Sequence, residues 1–189
     1  MHSIFIAFPL PKTVKDQLAR LCFGLPQVHW TEHNDFHLTI HFVGPVNALT
    51  RLDIQDALNQ IRFPPFRISL EGVGYFDNKS NGVVWAGVSP SKELDAIKKI
   101  IVTQLKKILT VVDKKPFVPH ITLGRFKTID KRRLADYLDS HSLFATVPFG
   151  NDFLVLMESQ KTAAESTIYQ ELARFKLIPP INKLRILND

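Results

Sequence analysis

The pattern H-x-T occurs twice in this 189-residue chain, each time in a short stretch where polar and apolar side chains alternate. The first stretch is FHLTIHFV, residues 36–43, and the second is HITLGRF, residues 120–126. Alternation among β-branched and aromatic residues is typical of a strand with one buried face, on which the histidine and the threonine share the other face. A single H-x-T is expected roughly 0.4 times by chance at this composition, whereas two copies in matching strands constrain the fold.

The two patterns occupy equivalent places in an internal repeat. The first half reads as strand 3–8, helix 12–23, the H-x-T strand, helix 48–61 and strand 66–76. The second half reads as strand 83–88, helix 91–110 capped by Ser91, the H-x-T strand, helix 130–140 and strand 152–158, and a final strand covers 168–177. We therefore expect an α+β fold: one bilobal domain over 1–189, with repeats of about 3–76 and 83–158 related by an approximate two-fold axis. The two H-x-T strands would face each other across a central groove.

Four histidines recur at an interval of four residues, which on a helix would place them on one face, as a metal site requires. They are His29, His33, His37 and His41. The interval crosses a change of element, because the first two precede the strand, and we therefore expect no metal stripe. Strict alternation puts His41 on the face of His37, where we expect it at a solvated rim of the groove.

The composition favours a globular protein with an anionic partner. The chain is 45% hydrophobic and 22% charged, and its net charge of +6 favours phosphates or nucleic acid, although charge alone is a weak indication. The single cysteine, Cys22, excludes a disulfide framework or a cysteine zinc site within one chain and favours a reducing compartment. There is no signal-peptide pattern and no run of eighteen apolar residues, so we expect a cytoplasmic protein without a membrane partner.

Two opposed histidines with two threonines suit the cleavage of a phosphodiester. Imidazole titrates near neutrality, so one ring can take a proton while the other gives one, without a metal. Each threonine lies about 6.5 to 7 Å along the strand from its histidine, and its hydroxyl can donate to a phosphoryl oxygen. A pentacoordinate phosphorus needs a base, an acid and such donors, and a cyclic phosphodiester is the simplest substrate for them.

Three segments resemble the two-histidine phosphoesterases, in particular the RNA 2',3'-cyclic phosphodiesterases, also called 2'-5' RNA ligases. They are FHLTIHFVG with the preceding Trp30, KPFVPHITLGR, and the opening IFIAFPLP. The resemblance extends to about Leu177 and implies two antiparallel sheets around a central groove. The activity it implies is hydrolysis of RNA 2',3'-cyclic phosphate ends to 2'-phosphates without metal or other cofactor, with 2'-5' ligation as the reverse reaction.

By motif position, the resemblance makes His37 and His120 the catalytic pair and Thr39 and Thr122 the phosphate-binding residues. Arg125 matches a family arginine that holds the phosphate or the substrate. Strict alternation would turn this side chain away from the groove, so a bulge at the preceding glycine is needed to redirect it. We expect His37 to be the general acid and His120 the general base, although symmetry makes the reverse nearly as plausible.

The chain departs from the family pattern outside the two motifs. Ser3 stands where an arginine is common, His29 stands where a basic residue often precedes the tryptophan, and the loop KTAAES lacks the usual glycines and arginines. These departures concern the RNA beyond its terminal nucleotide. Phe5, Trp30 and Tyr75 could stack on a base, but a core position is the more common use of such residues.

Two classes of function remain open from the sequence. The first is the enzyme, acting on RNA termini or 2',3'-cyclic nucleotides as a monomer with no obligatory protein partner. The second is a non-catalytic module that uses the same groove to bind RNA ends or nucleotides. The presence of both histidines favours the enzyme.

Overall fold

The computed structural model of the protein describes residues 2–78, 81–110, 116–161 and 167–180. These ranges contain ten strands: β1 (His2–Pro9), β2 (His29–Trp30), β3 (His37–Gly44), β4 (Phe66–Ile68), β5 (Leu70–Asn78), β6 (Asn81–Val88), β7 (His120–Phe126), β8 (Phe149–Asn151), β9 (Phe153–Lys161) and β10 (Thr167–Lys176). They also contain four α-helices: α1 (Lys12–Ala19), α2 (Ala48–Asn59), α3 (Lys92–Leu105) and α4 (Lys131–Ser140). The loop KTAAES lies, after its first residue, outside the described residues.

The predicted α+β class is confirmed, with differences at several element ends. The predicted strand 66–76 is two strands, β4 and β5, which join different sheets. Helix α1 ends at Ala19, because the following amides of Leu21 and Cys22 bond to carbonyls three residues back and tighten the chain into turns. Helix α3 begins after Ser91, whose side chain accepts a hydrogen bond from the amide of Leu94. The prediction of Ser91 as the cap is therefore confirmed.

The strand order is nearly symmetrical about the junction of β3 and β7, with β10 as an additional strand on the β3 side. The main antiparallel sheet runs β10-β9-β1-β3-β7-β6-β5, with β2 added beside β7, while β4 and β8 form a separate pair. Strand β9 lies beside β1, and β5 lies beside β6, so each half of the sheet takes strands from both halves of the sequence. The two-lobed description stays a prediction, because these strands form one hydrogen-bonded path.

The four helices cover one face of the main sheet. All four contribute buried side chains to a single core cluster, together with alternate residues of the central strands. The opposite face carries a smaller cluster of Phe5, Ala7 and Val155 with Met157 and Tyr169 packed on it. This second face, called here the groove face, is the one left open by the helices. None of the four described helices is long and apolar enough to cross a bilayer.

Candidate functional site

The two motif histidines meet where the two halves of the sheet join. Leu38 of β3 pairs with Ile121 of β7, and both side chains are completely buried on the helix side. Their immediate neighbours therefore project to the groove face. These neighbours are the four motif residues, His37, Thr39, His120 and Thr122, all partly exposed.

Both histidine rings are anchored in the same way. Nδ1 of His37 lies 2.6 Å from the carbonyl oxygen of Asp35, and Nδ1 of His120 lies 2.7 Å from that of Val118. A carbonyl oxygen can only accept, so each Nδ1 carries a proton and donates it. In a neutral ring Nε2 is then the unprotonated nitrogen, which is the atom that can take a proton from a reacting group.

Helix α1 supports the carbonyl that anchors His37. That carbonyl ends a short 3₁₀ helix, His33–Asp35. Lys15 of α1 donates from Nζ to the carbonyl of Asn34 at 2.6 Å, and Asp16 lies 2.7 Å from Nε2 of His33. Two contacts from one helix therefore fix the turn before the catalytic strand.

Burial lowers the pKa of both histidines. For His37, removal from water lowers the pKa to about 4; the Asp35 carbonyl opposes this shift, whereas the nearby charges of Lys15, Arg125 and His120 add to it. For His120, burial again lowers the pKa, the Val118 carbonyl opposes it, and Arg125 adds to it. The ring of His37 is therefore neutral at pH 7 in the free protein. Arg125 lies close enough for its charge to act on both rings.

A β-bulge brings Arg125 to the groove face. The adjacent residues Val84 and Trp85 of β6 pair with Gly124 and Thr122 of β7, so β7 carries one residue more than its neighbour. An extra residue reverses the alternation of the residues that follow it. Arg125 is therefore exposed on the same side of the sheet as the motif residues, and the predicted need for a bulge near the glycine is met.

An equivalent bulge in β3 overturns the prediction for His41. The adjacent residues Ile6 and Ala7 of β1 pair with His41 and Thr39. His41 therefore turns to the helix side, where it is 3% exposed and its Nδ1 lies 2.8 Å from Nζ of Lys98. The expectation of a solvated rim residue is wrong. Phe42 occupies the groove face instead and is 54% exposed. It follows His37 by five residues, the same interval that separates Arg125 from His120.

Aromatic rings flank each histidine, and most were missed by the sequence reasoning. The ring of His37 lies 4.9 Å from that of Phe5 and 5.2 Å from that of Tyr169. The ring of His120 lies 5.0 Å from that of Phe76 and 6.2 Å from that of Trp85. Alternation along β5 and β6 could have found Phe76 and Trp85, whereas no local signal links the distant Tyr169 to His37.

The three rings considered as base platforms do not present an open face to the groove. Phe5 is on the groove face but completely buried. Trp30 packs at 6.0 Å against Tyr137 of α4, and Tyr75 lies under the ammonium group of Lys131 on the helix side. Phe5 and Trp30 therefore serve packing, whereas Tyr75 is 41% exposed but lies away from the groove face.

The histidines at the regular interval are spread over different surroundings. His29 lies on β2 and His33 lies in the 3₁₀ helix. His37 and His41 are both on β3 but lie on opposite faces of the sheet. Within the described ranges, no three His, Cys, Asp or Glu side chains are grouped closely enough to hold a metal ion.

Two H-x-T strands that join at the centre of a nearly symmetrical antiparallel sheet define the class of two-histidine phosphoesterases. Residues 26–163 match the 2'-5' RNA ligase superfamily, which is more than half of the chain. The chain belongs to that superfamily.

Relatives named RNA 2',3'-cyclic phosphodiesterase match most of the chain. The Archaeoglobus fulgidus protein is 29% identical over 181 residues, which cover 92% of this chain and 99% of the relative. The Aquifex aeolicus protein is 30% identical over 155 residues, which cover 78% of this chain and 81% of the relative.

Solved structures share the fold at lower identity. Escherichia coli LigT in complex with 3'-AMP aligns with a TM-score of 0.76 and 22% identity, covering 93% of this chain and 98% of LigT. A Thermus thermophilus protein aligns with a TM-score of 0.78 and 22% identity, covering 94% of this chain and 98% of that protein. These alignments establish the similarity of fold.

Proposed function

We propose that the protein hydrolyses RNA 2',3'-cyclic phosphate ends to 2'-phosphates with two histidines as acid and base. The observation that carries the proposal is the matched anchoring of His37 and His120 through Nδ1, beside a junction that projects both rings to the groove face. Each ring then offers Nε2 to a group bound between them. The name RNA 2',3'-cyclic phosphodiesterase, shared by relatives that cover most of the chain, supports the same reaction.

In the proposed reaction His120 takes a proton from water through Nε2 as the water oxygen bonds to phosphorus. The bond between phosphorus and O3' breaks opposite the attacking water, and His37 gives its Nε2 proton to O3'. The products are a 2'-phosphate and a 3'-hydroxyl. The hydroxyl groups of Thr39 and Thr122 donate hydrogen bonds to the non-bridging oxygens, and the guanidinium of Arg125 balances the negative charge on these oxygens.

The low pKa of His37 sets a condition on this assignment. A ring with a pKa of about 4 holds no proton at pH 7, so it can act as an acid only after a negative charge raises that pKa. The bound phosphodiester supplies the charge. Burial also lowers the pKa of His120, so the charge of the bound phosphodiester favours the protonated form of that ring as well.

The reaction is tested with a 2',3'-cyclic nucleotide in EDTA, with products followed by phosphorus NMR. Wild type should form only the 2'-phosphate, whereas His37→Ala and His120→Ala should each lose at least a hundredfold in kcat while remaining folded by circular dichroism. His141→Ala is the matched control, because that histidine also bonds a backbone carbonyl through Nδ1, at 2.8 Å, but lies at the end of α4. Normal turnover in either groove variant rejects the proposal.

A sulfur substitution distinguishes the acid from the base. A thiolate leaves without a proton, so a cyclic substrate with sulfur in place of O3' does not need a general acid. If His37 is the acid, His37→Ala should recover activity on this substrate, whereas His120→Ala should not. Recovery in His120→Ala alone reverses the two roles.

A non-catalytic binding module is the other outcome of the same assay, since a binder would leave the cyclic nucleotide unchanged. LigT has been crystallised with 3'-AMP and with phosphate, which supports nucleotide and phosphate binding in this fold. One chain supplies both histidines and both threonines, so we propose the monomer as the active unit. Its location in the cytoplasm remains part of the proposal.

A further inference from the structure

Four groove-face residues lie directly opposite one another across strands β5, β6, β7 and β2. Phe76 pairs with Val83, Val83 pairs with Arg125, and Arg125 pairs with His29. Residues directly opposite in an antiparallel pair have Cβ atoms about 4.5 to 5.5 Å apart on the same face. These four residues, called the recognition row, therefore form a continuous line about 14 Å wide beside the catalytic groups.

The aromatic end of the recognition row is rigidly supported. Phe76 is 38% exposed, and its ring lies 5.2 Å from that of Trp85 and 5.0 Å from that of His120. The indole of Trp85 lies across Gly74, where an added Cβ would come within 2.3 Å of its ring atoms. The absence of a side chain at Gly74 thus makes room for the indole, which supports the Phe76 ring at an interplanar angle of 38° while that ring stays partly exposed.

The other end of the recognition row consists of a guanidinium and an imidazole. Arg125 and His29 are both exposed and are adjacent across the pair of β7 and β2. A guanidinium fork presents several donors to a phosphate, and a neighbouring imidazole adds a further nitrogen. Such a pair suits a phosphodiester group better than an uncharged ligand.

The equivalent row of the other half has the opposite character. Phe42, Phe5, Met157 and Glu171 pair across β3, β1, β9 and β10. This row contains no cation and ends in the carboxylate of Glu171, which is held by Arg174 at 2.7 and 2.8 Å. Two halves with nearly the same strand order therefore differ in charge, and only the recognition row suits a phosphate.

We propose that the recognition row is a second nucleotide subsite, which binds the nucleotide preceding the cyclic end of a single-stranded RNA. The phosphate of that nucleotide lies between His29 and the outer N–H groups of Arg125, whose other N–H groups face the scissile phosphate, and its base stacks on Phe76. The inference rests on the proposed hydrolysis of RNA ends and adds the residues that bind the nucleotide next to the cyclic end. Stacking on an aromatic ring accepts any base, so the subsite selects length rather than sequence.

The test compares kcat/KM for an RNA oligonucleotide ending in a 2',3'-cyclic phosphate with kcat/KM for a 2',3'-cyclic mononucleotide. Wild type should prefer the oligonucleotide. Phe76→Ala should lower the ratio of the two values at least fivefold, because stacking contributes about 1 to 3 kcal/mol per base. Any effect on the adjacent His120 cancels in this ratio, since both substrates use the same histidine.

His29→Ala should also lower the ratio about fivefold, and His29→Lys should restore it. The lysine variant should also steepen the dependence of log KM on log salt for the oligonucleotide by about 0.7, the value for one added phosphate contact to a single strand. Lys99→Ala is the control, because Lys99 is exposed on α3 on the helix side and its loss changes the net charge without touching the row.

The outcomes separate this inference from the proposed function. A ratio within twofold of wild type in both His29→Ala and Phe76→Ala rejects the subsite while hydrolysis of the mononucleotide stands. An equal fall in Lys99→Ala rejects it too, because the effect would then be one of net charge. If wild type hydrolyses neither substrate, the proposed function itself is rejected, and the subsite with it.

Discussion

Phosphate binding should raise the pKa of His37 by about three units. Burial lowers that pKa from 6.5 to about 4, a shift of about 2.5 units in the free protein. A single negative charge about 4 Å from the protonated ring, at an effective dielectric constant of about 20, stabilises it by about 4 kcal/mol. At 1.36 kcal/mol per unit this corresponds to about three units, so the pKa of His37 in the phosphate complex should lie near 7.

The measurement is an NMR titration of the histidine ring protons with and without saturating inorganic phosphate. The resonance of His37 is assigned by its loss in His37→Asn. A Thr39→Val/Thr122→Val variant is the control, because it removes the two hydroxyl donors to phosphate and should leave the pKa of His37 low at every phosphate concentration. A pKa near 6.5 in the free protein, or no change with phosphate, would refute the reasoning, since desolvation would then not control this ring.

Three further outcomes are expected. The pKa of His37 is about 6.5 in the unfolded chain and about 4 in the folded protein. The free energy of unfolding should therefore fall by up to about 3 kcal/mol as the pH drops from 6.5 to 4. Urea titrations should show a smaller fall in His37→Gln. In Gly124→Ala the added Cβ would lie 2.4 Å from a side-chain carbon of Val28 and would displace the bulge. The free energy of unfolding should fall by about 1 to 3 kcal/mol, and phosphate should bind more weakly. Unchanged phosphate affinity would contradict this. Tyr137→Phe removes a buried 2.9 Å hydrogen bond to the Leu21 carbonyl. Thermal unfolding should show that the free energy of unfolding is lower by about 1 kcal/mol, and the activity assay should show an unchanged kcat.

Much of the fold could be predicted because the local patterns are strong. The β7 prediction gave both ends of that strand, and the predicted elements around β1, β3, α2 and α4 differ from the observed ones by two residues or fewer at each end. The division of strand 66–76 could not be predicted, because β4 ends where the chain leaves its pairing with the distant β8 to join β6. Pairing between distant segments leaves no periodic trace in either segment alone.

The site shows the same division at the level of single residues. His37, Thr39, His120 and Thr122 were found from a repeated pattern, because the residue types and their spacing of two carry the chemistry. Tyr169 was not found, because its contact with His37 depends on β10 lying two strands from β1 in the sheet order.

The sequence by itself determined which groups can do chemistry and that they occur as a pair. Only the tertiary structure decided which faces His41, Phe42 and Arg125 occupy. The physical reason is the bulge: strict alternation assigns faces only while two strands match residue for residue, and one extra residue reverses every face beyond it. The extra residue is defined only against the partner strand, so the reversal that buries His41 and brings Arg125 to the groove belongs to the pairing and not to the pattern of either strand.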